Sequence, residues 1–498
     1  MYFCGIVSFF IQLLLHIPFQ RFFPSFSPFV DIQPLFVDVR GLCFDIICTR
    51  FRGEIVLPKI FNKNNMKRFV FLILMIALTV MGVQSQEVRT WSLQDCLNYA
   101  LEQNIQVKKS KVSLLSGEED LQLSKAQMFP SLSAGISQSV VNYPSTGDNT
   151  FSGSYGISAG LTLYDGGRRT NTIKQNEIRQ TVNELAVEQS ENDIRISLVQ
   201  AYMQVLYAME SVRTNENTVE VSKMQYQRAS DLLEAGSISR VDLLQIESQH
   251  STDKYRLVVS QASLENYRLQ LKQLLELDIT EEMVISVPDL TLDMILASLS
   301  DKQNIYQTAL EVMPEVKSSQ LNMDIAHLDI KKAEAGYLPS LSLSADIGTG
   351  YGSGIGTGFG TQMWDRLNES VRLSLNIPIY SNRSNKTAVN KARLASVTSE
   401  LDWLNTQKQL LRTVEILYLD ATSSQNQYLA AVEQVKYSEE TYTLIEQQFF
   451  LGMKNTLELL TAKNNLLNAQ QELLQSKYMA VMNIQLLNIY QNMPIIMI

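Results

Sequence analysis

The sequence predicts an α+β membrane protein made of two copies of one plan, each supplying strands for an outer-membrane β-barrel and a pair of very long helices. Three observations carry this. Residues 100–110, ALEQNIQVKKS, align with 309–319, ALEVMPEVKSS, and 129–137, FPSLSAGIS, align with 338–346, LPSLSLSAD, both at an offset of 209. Such an internal repeat governs the reading of everything else. Between Arg168 and Pro288 a run of 119 residues lacks proline and holds one glycine, Gly236; between Tyr380 and Met493 proline is again absent and Gly452 is the single glycine. Glycine and proline are the strongest breakers, so each run reads as helix turned once. Four segments of roughly ten residues alternate apolar and polar positions, the length and period of outer-membrane strands.

The chain starts with a puzzle. MKRFVFLILMIALTVMGVQSQ, from Met66 to Gln86, has a basic start, an uncharged apolar stretch and small residues Val83 and Ser85 at a cleavage position, so residues 66–85 read as a secretory signal. Residues 1–65, which hold 12 of the 19 phenylalanines, are expected not to belong to the native protein, with translation beginning at Met66. A membrane anchor in the uncharged residues 1–20, or a genuine extension, are the rival readings. Cys4, Cys43 and Cys48 fall in that segment, leaving Cys96 alone in the mature chain with no intrachain disulfide to form. The net charge is -9, and residues 86–498 carry 34 Lys/Arg against 47 Asp/Glu, which argues against a nucleic-acid partner. No uncharged apolar run past the signal approaches the roughly 18 residues of a spanning helix, so a membrane crossing would be made by strands.

Repeat 1, residues 87–290, begins with a helix and continues with strands at about 131–141 and 151–164. A long helix over about 169–235 follows, then a turn at Gly236 and a return helix over about 239–277. Repeat 2, residues 291–498, has strands at about 340–348 and 370–380, a long helix over about 384–451, a turn at Gly452 and a return helix over about 455–490. At 1.5 Å per residue each long helix approaches roughly 100 Å. In the first, Leu198, Tyr202, Val205, Met209 and Val212 follow the 4,3 spacing of a coiled-coil seam, with Val199, Leu206, Ala201 and Ala208 on flanking rows. Leu410, Val414, Leu417 and Ala421 begin the same pattern in the second copy. Two apolar flanks allow a neighbour on each side, as a staved wall requires; an antiparallel coiled coil with one broad face fits the helix alone equally well.

Past the strands the offset becomes 216, set by LYDGGRRT against IYSNRSNKT, so the second copy has seven extra residues between its strands. These include GTGYGSGIGTGFG, 348–360, whose glycines never fit G-x-G-x-x-G and which reads as a mobile loop. From Phe151 to Tyr164 the odd positions are Phe, Gly, Tyr, Ile, Ala, Leu, Leu and the even ones mainly Ser and Gly. From Ser370 to Tyr380, Val371, Leu373, Leu375, Ile377 and Ile379 share one face. A soluble sheet packed on a helix would alternate likewise, but helices of this length extend far beyond the span of about 30 Å such strands cover. Four strands cannot close a barrel, and an open edge in lipid leaves backbone groups unpaired, so several chains must contribute.

The duplicated plan, the FPSLS and LPSLS strand entries and the two glycine turns together resemble the TolC-like outer-membrane efflux proteins over essentially all of residues 87–498. The resemblance implies a homotrimer with a 12-stranded β-barrel in outer-membrane lipid, continued by a 12-helix periplasmic barrel. It implies as partners a periplasmic adaptor and an inner-membrane pump of RND or ABC type. Gly236, Ser237, Ile238, Gly452, Met453 and Asn455 would form the adaptor-docking tips. GMKNTLELLTA resembles the family's constriction: Glu458 falls at an acidic ring position, Thr461 replaces a second acid, Lys454 an arginine and Phe449 a tyrosine. Asp242 matches the acid that holds the closed state, so a closing network would rest mainly on Lys454 with Asp242.

Catalysis leaves no trace. His250 and His327 lie on separate helical segments and read as exposed helix residues; no catalytic, metal or cofactor site is expected, and without a Walker A pattern the energy must come from a partner. The expected function is a passive exit duct of a tripartite efflux or type I secretion system. The alternative is a secreted periplasmic coiled-coil scaffold with a small β-domain.

Overall fold

The computed structural model describes residues 90–278, 280–354 and 356–495, so the expectations for residues 1–65 and 66–85 lie outside the described residues. In chain order the elements are β1 (Thr90–Trp91), α1 (Leu93–Gln103), α2 (Ile105–Ala126), β2 (Ser131–Tyr143), β3 (Asp148–Tyr164), α3 (Arg168–Glu234) and α4 (Arg240–Leu274). The second copy follows with β4 (Val284–Ile285), α5 (Leu292–Ile295), α6 (Lys302–Val312), α7 (Pro314–Glu334), β5 (Ser340–Gly352), α8 (Phe359–Asp365), β6 (Asn368–Asn376), α9 (Ser384–Phe450) and α10 (Thr456–Tyr490).

The helices run where nothing breaks them. α3 and α9 are each 67 residues long, and α4 and α10 each 35. α3 packs against α4 and α9 against α10, with α3 also touching α10; α7 lies against both α3 and α9, and α2 against α3. The seam on α3 is the largest core: Leu198, Val199, Ala201, Tyr202, Val205, Leu206 and Ala208 are buried, and Met209 and Val212 partly so. Trp91, Leu93, Cys96 and Leu97 of β1 and α1 close over it, and the buried Tyr202 hydroxyl donates to the Ser286 carbonyl at 2.6 Å. That bond ties the short parallel β1–β4 pair to the middle of the long helix. In the second copy Leu410, Val414 and Ala421 are buried with Ile305, Ala309 and Val316.

The strands form one antiparallel sheet in the order β2-β3-β5-β6. Direct pairs such as Ala134↔Ile157, Ile157↔Ile347 and Leu343↔Leu373 carry the apolar residues across one face, while Ser133↔Ser158 and Ser158↔Asp346 lie on the other. Strand alternation thus survives as two chemically distinct faces.

Two expectations need correction. The last strand spans 368–376 rather than 370–380: Pro378 has no N–H to donate, and the chain leaves the sheet before Ile379 and Tyr380. The glycine stretch 348–360 is not simply a loop, because β5 continues through Gly352 and α8 starts at Phe359. At Gly350 a Cβ would lie 2.6 Å from the Gly153 carbonyl oxygen, so here glycine serves close strand approach rather than looseness.

Candidate channel wall and helix tips

Each long helix ends in the same way. After α3, Gly236 takes φ 72°, its N–H donates to Leu233 O at 2.9 Å and the next N–H, of Ser237, to Leu232 O at 2.8 Å. After α9, Gly452 takes φ 72°, with Gly452 N to Phe449 O at 3.0 Å and Met453 N to Gln448 O at 2.9 Å. These are Schellman closures, which need a left-handed residue just past the helix end. A Cβ on either glycine would meet nothing within 4 Å, so backbone conformation alone selects glycine there. Ser237, Met453 and Asn455 are exposed and Ile238 is half-buried, which leaves a small mixed surface at each turn.

The return helices are capped at once. Ser239 and Asp242 form a capping box: Ser239 Oγ accepts from Asp242 N at 3.2 Å, and Asp242 Oδ2 accepts from Ser239 N at 3.1 Å. Asn455 accepts from Glu458 N at 2.9 Å. Asp242 has a second partner on the other copy, since Thr456 Oγ1 donates to its Oδ1 at 2.7 Å. The bonds from Ser239 and then Thr456 hold the Asp242 carboxyl below its usual range. The expected Lys454–Asp242 pair is not formed: Lys454 Nζ lies 2.5 Å from Glu458 Oε2, a partner one helical turn away that is reached without crossing to α4. Phe449 is buried with Leu243, Ile246 and Leu459, so its ring joins the two copies by packing. Thr461 is exposed, its hydroxyl bonded back to Leu457 O.

A polar belt lies further along the same seam. Lys463 of α10 and Asp253 of α4 meet at 2.8 Å with side chains 4% and 0% exposed. Gln249 donates to the other Asp253 oxygen at 2.9 Å. On α3, Gln225 donates to Glu446 of α9 at 2.8 Å and also to the Tyr442 hydroxyl. His250 is not exposed as expected: it is buried, its Nδ1 lies 2.8 Å from Ser222 Oγ, and its ring stacks on Tyr226. Burial, with Lys254 next, pushes its pKa below 6.5. His327 is exposed, with Ser396 Oγ 3.3 Å from its Nδ1. Sequence reading missed this belt, although its signal is present: Leu243, Ile246, His250 and Asp253 continue one buried stripe at 3,4,3 spacing from apolar into polar residues. Among the described residues no group of three or more His, Cys, Asp or Glu is placed to hold a metal ion, and no helix is long and apolar enough to cross a membrane.

The sheet supplies the other half of the site. Its apolar face is bare: Leu132, Ile136, Val140, Val371, Leu373 and Leu375 are each 61–77% exposed. Among the described residues β2 and β6 each have one neighbour, so both edges of the sheet are open. A seam on α9 is equally uncovered, with Leu394, Val397, Leu401 and Leu404 at 3,4,3 spacing all exposed. On the far side of the wall Val112 and Leu115 of α2 and Val241, Leu244, Tyr255 and Val258 of α4 are exposed too.

An open sheet with one bare apolar face, joined to paired long helices with sealed tips, defines a wall segment of an outer-membrane channel. A family model described as outer membrane efflux protein matches residues 96–276 and 305–488, and the chain belongs to that family. It is 20% identical over 424 residues to the outer membrane protein TolC of Escherichia coli K12, covering 82% of this chain and 84% of that one. It is 22% identical over 416 residues to the outer membrane efflux protein BepC of Brucella suis biovar 1, covering 83% and 87%. The outer-membrane channel CmeC of Campylobacter jejuni shares the fold at a TM-score of 0.69 and 19% identity, covering 80% of this chain and 85% of CmeC. The family places the chain in the outer membrane as an efflux channel and sets aside the periplasmic scaffold.

Proposed function

We propose that three copies close head to tail into a passive exit duct, a 12-stranded barrel in outer-membrane lipid continued by a helical barrel in the periplasm. The observation that carries this is the pair of unfinished flanks. Each chain ends on one side in the open edge of β2 with the bare rows of α2 and α4, and on the other in the open edge of β6 with the bare seam of α9. Joining one flank to the other in the next chain satisfies the edges and buries the seams, and such a contact repeated around an axis closes a ring. Purified from outer membranes in mild detergent, the protein is expected to have the mass of three chains by light scattering corrected for bound detergent. A monomer would overturn the reading.

In that ring the turns at Gly236, Ser237, Ile238 and at Gly452, Met453, Asn455 dock a periplasmic adaptor, through which an RND or ABC pump supplies the energy. Relatives support both a tripartite efflux and a type I secretion setting: one is named a toluene efflux pump outer membrane protein and another a proteases secretion protein. Glu458, with Thr461 one turn further, lines the narrowest part of the lumen, where three acidic side chains would favour cations; each arrives with Lys454 as its own counter-ion.

The closed tip is held by Phe449 packing and by the Thr456–Asp242 bond, which links the two copies. Asp242→Ala removes that link together with the reciprocal half of the Ser239 capping box; the lost hydrogen bond between the copies is worth about 1 kcal/mol, or about a fivefold shift in the closed-to-open ratio. Single-channel recording in a planar bilayer should show a higher open fraction; an unchanged one would discard this role. Because the Asp242 carboxyl is held below its usual range, the contribution of the charged link is present at neutral pH. It fades only as pH falls through that lowered value.

A further inference from the structure

α8 is a short helix with an unusual seat. The cross-strand pairs Ile136↔Tyr155, Tyr155↔Thr349 and Gly153↔Tyr351 place Tyr155, Thr349 and Tyr351 on the apolar face of the sheet. α8 is fastened to that same face. Thr349 Oγ1 donates to Met363 O at 2.5 Å, and the Phe359 ring meets Tyr351 edge-on with centroids 5.0 Å apart. Gln362, buried, accepts from Gly352 N and donates to Thr357 O, each at 2.8 Å, which fixes the turn that brings the helix back. Just past α8, Leu367 faces the same depression as Ala134, Ile136, Ile157 and Ile347. The helix therefore lies over the apolar side rather than above the mouth of the strands.

The level at which it lies is also defined. From Leu341 to Ala345 the face is apolar across β5 and β6, whereas from the Ile347–Glu369 pair outward polar atoms enter it, with the Val140–Phe151 pair one row beyond Gln138. Gln138 donates to the Tyr155 hydroxyl at 2.8 Å, the Tyr351 hydroxyl donates to Gln138 at 2.6 Å, and Glu369 stands opposite Ile347. Aromatic rings with polar tips at the end of an apolar band mark a membrane–water boundary. At that boundary α8 and the chain just past its end keep Trp364 78%, Phe359 56% and Leu367 45% exposed.

We propose that α8 is an interfacial anchor whose partner is the headgroup boundary of the outer leaflet, with Trp364 as its principal contact. The inference rests on the barrel reading above. It adds a surface that the barrel strands do not provide: a helix lying in the plane of the interface, beside the wall, resisting movement of the channel along the membrane normal.

Tryptophan quenching tests it in the full-length protein reconstituted into vesicles of phosphatidylcholine brominated either near the glycerol end or near the methyl end of the chains. Trp91 is buried in β1 and Trp403 half-buried on α9, so the component lost in Trp364→Phe reports α8. That component should be quenched more by shallow than by deep bromine. Quenching that is stronger with deep bromine would overturn the boundary placement. In a Trp364→Phe background, Val371→Trp serves as a reporter on the strand face. A quenched reporter with an unquenched Trp364 would overturn the anchor and leave the barrel intact, whereas loss of quenching at both positions would overturn the barrel itself.

Discussion

Replacing Lys463 by methionine is expected to be among the most damaging single changes available in the helical half, because it strands a charge. Asp253 is 0% exposed and would keep one donor, Gln249, in place of two. Breaking a buried pair from one side costs about 3–5 kcal/mol, mostly the penalty of the charge left behind. Asp253→Leu combined with Lys463→Met removes both charges, and buried pairs replaced together by apolar groups are often neutral or better. The midpoint of urea unfolding, followed by helical circular dichroism in detergent, should fall clearly for Lys463→Met and largely return in the double variant. Equal loss in both would mean that the two charges are not coupled.

The second large effect concerns neighbouring residues of β6 that face opposite ways. Leu373 pairs with Leu343 on the bare apolar face, and Ser374 pairs with Ser342 on the polar one. Arginine on the lipid face of a barrel near mid-membrane costs about 2–4 kcal/mol. Leu373→Arg should therefore sharply reduce the folded fraction on refolding into lipid vesicles, with Ser374→Arg close to the unchanged protein. Equal penalties at the two positions would mean that the apolar face does not meet lipid.

The helices and their turns were readable because they depend on single residues with strong local effects. A lone glycine in a run without proline allows one reversal, and both reversals occur there. Alternation located the strands, but Pro378 ends the last one sooner than its apolar positions suggest. α8 is hidden by the glycines before it, of which Gly350 serves a close strand contact that only the paired strand reveals. The sequence pairs Asp242 with Lys454, although SRVD, residues 239–242, has the spacing of a capping box and already offers Asp242 a local partner. The Lys463–Asp253 pair joins positions 210 apart in sequence. Each half of it looks like an ordinary helix charge until the two return helices are brought side by side.

The equal lengths of the two long helices, 67 residues each, and of the two return helices, 35 each, constrain how the chain can change. In the proposed ring of three chains they would act as six struts cut to one measure, so the rim they reach would be level. Shortening the α3–α4 hairpin alone by seven residues in each helix would pull alternate struts back by roughly 10 Å and leave a partner resting on every second one. The same cut in both copies would give a shorter but still level rim. In such a ring duct length would change only when both halves of the repeated plan change together, and a partner seated on the rim would hold the two halves to that common measure.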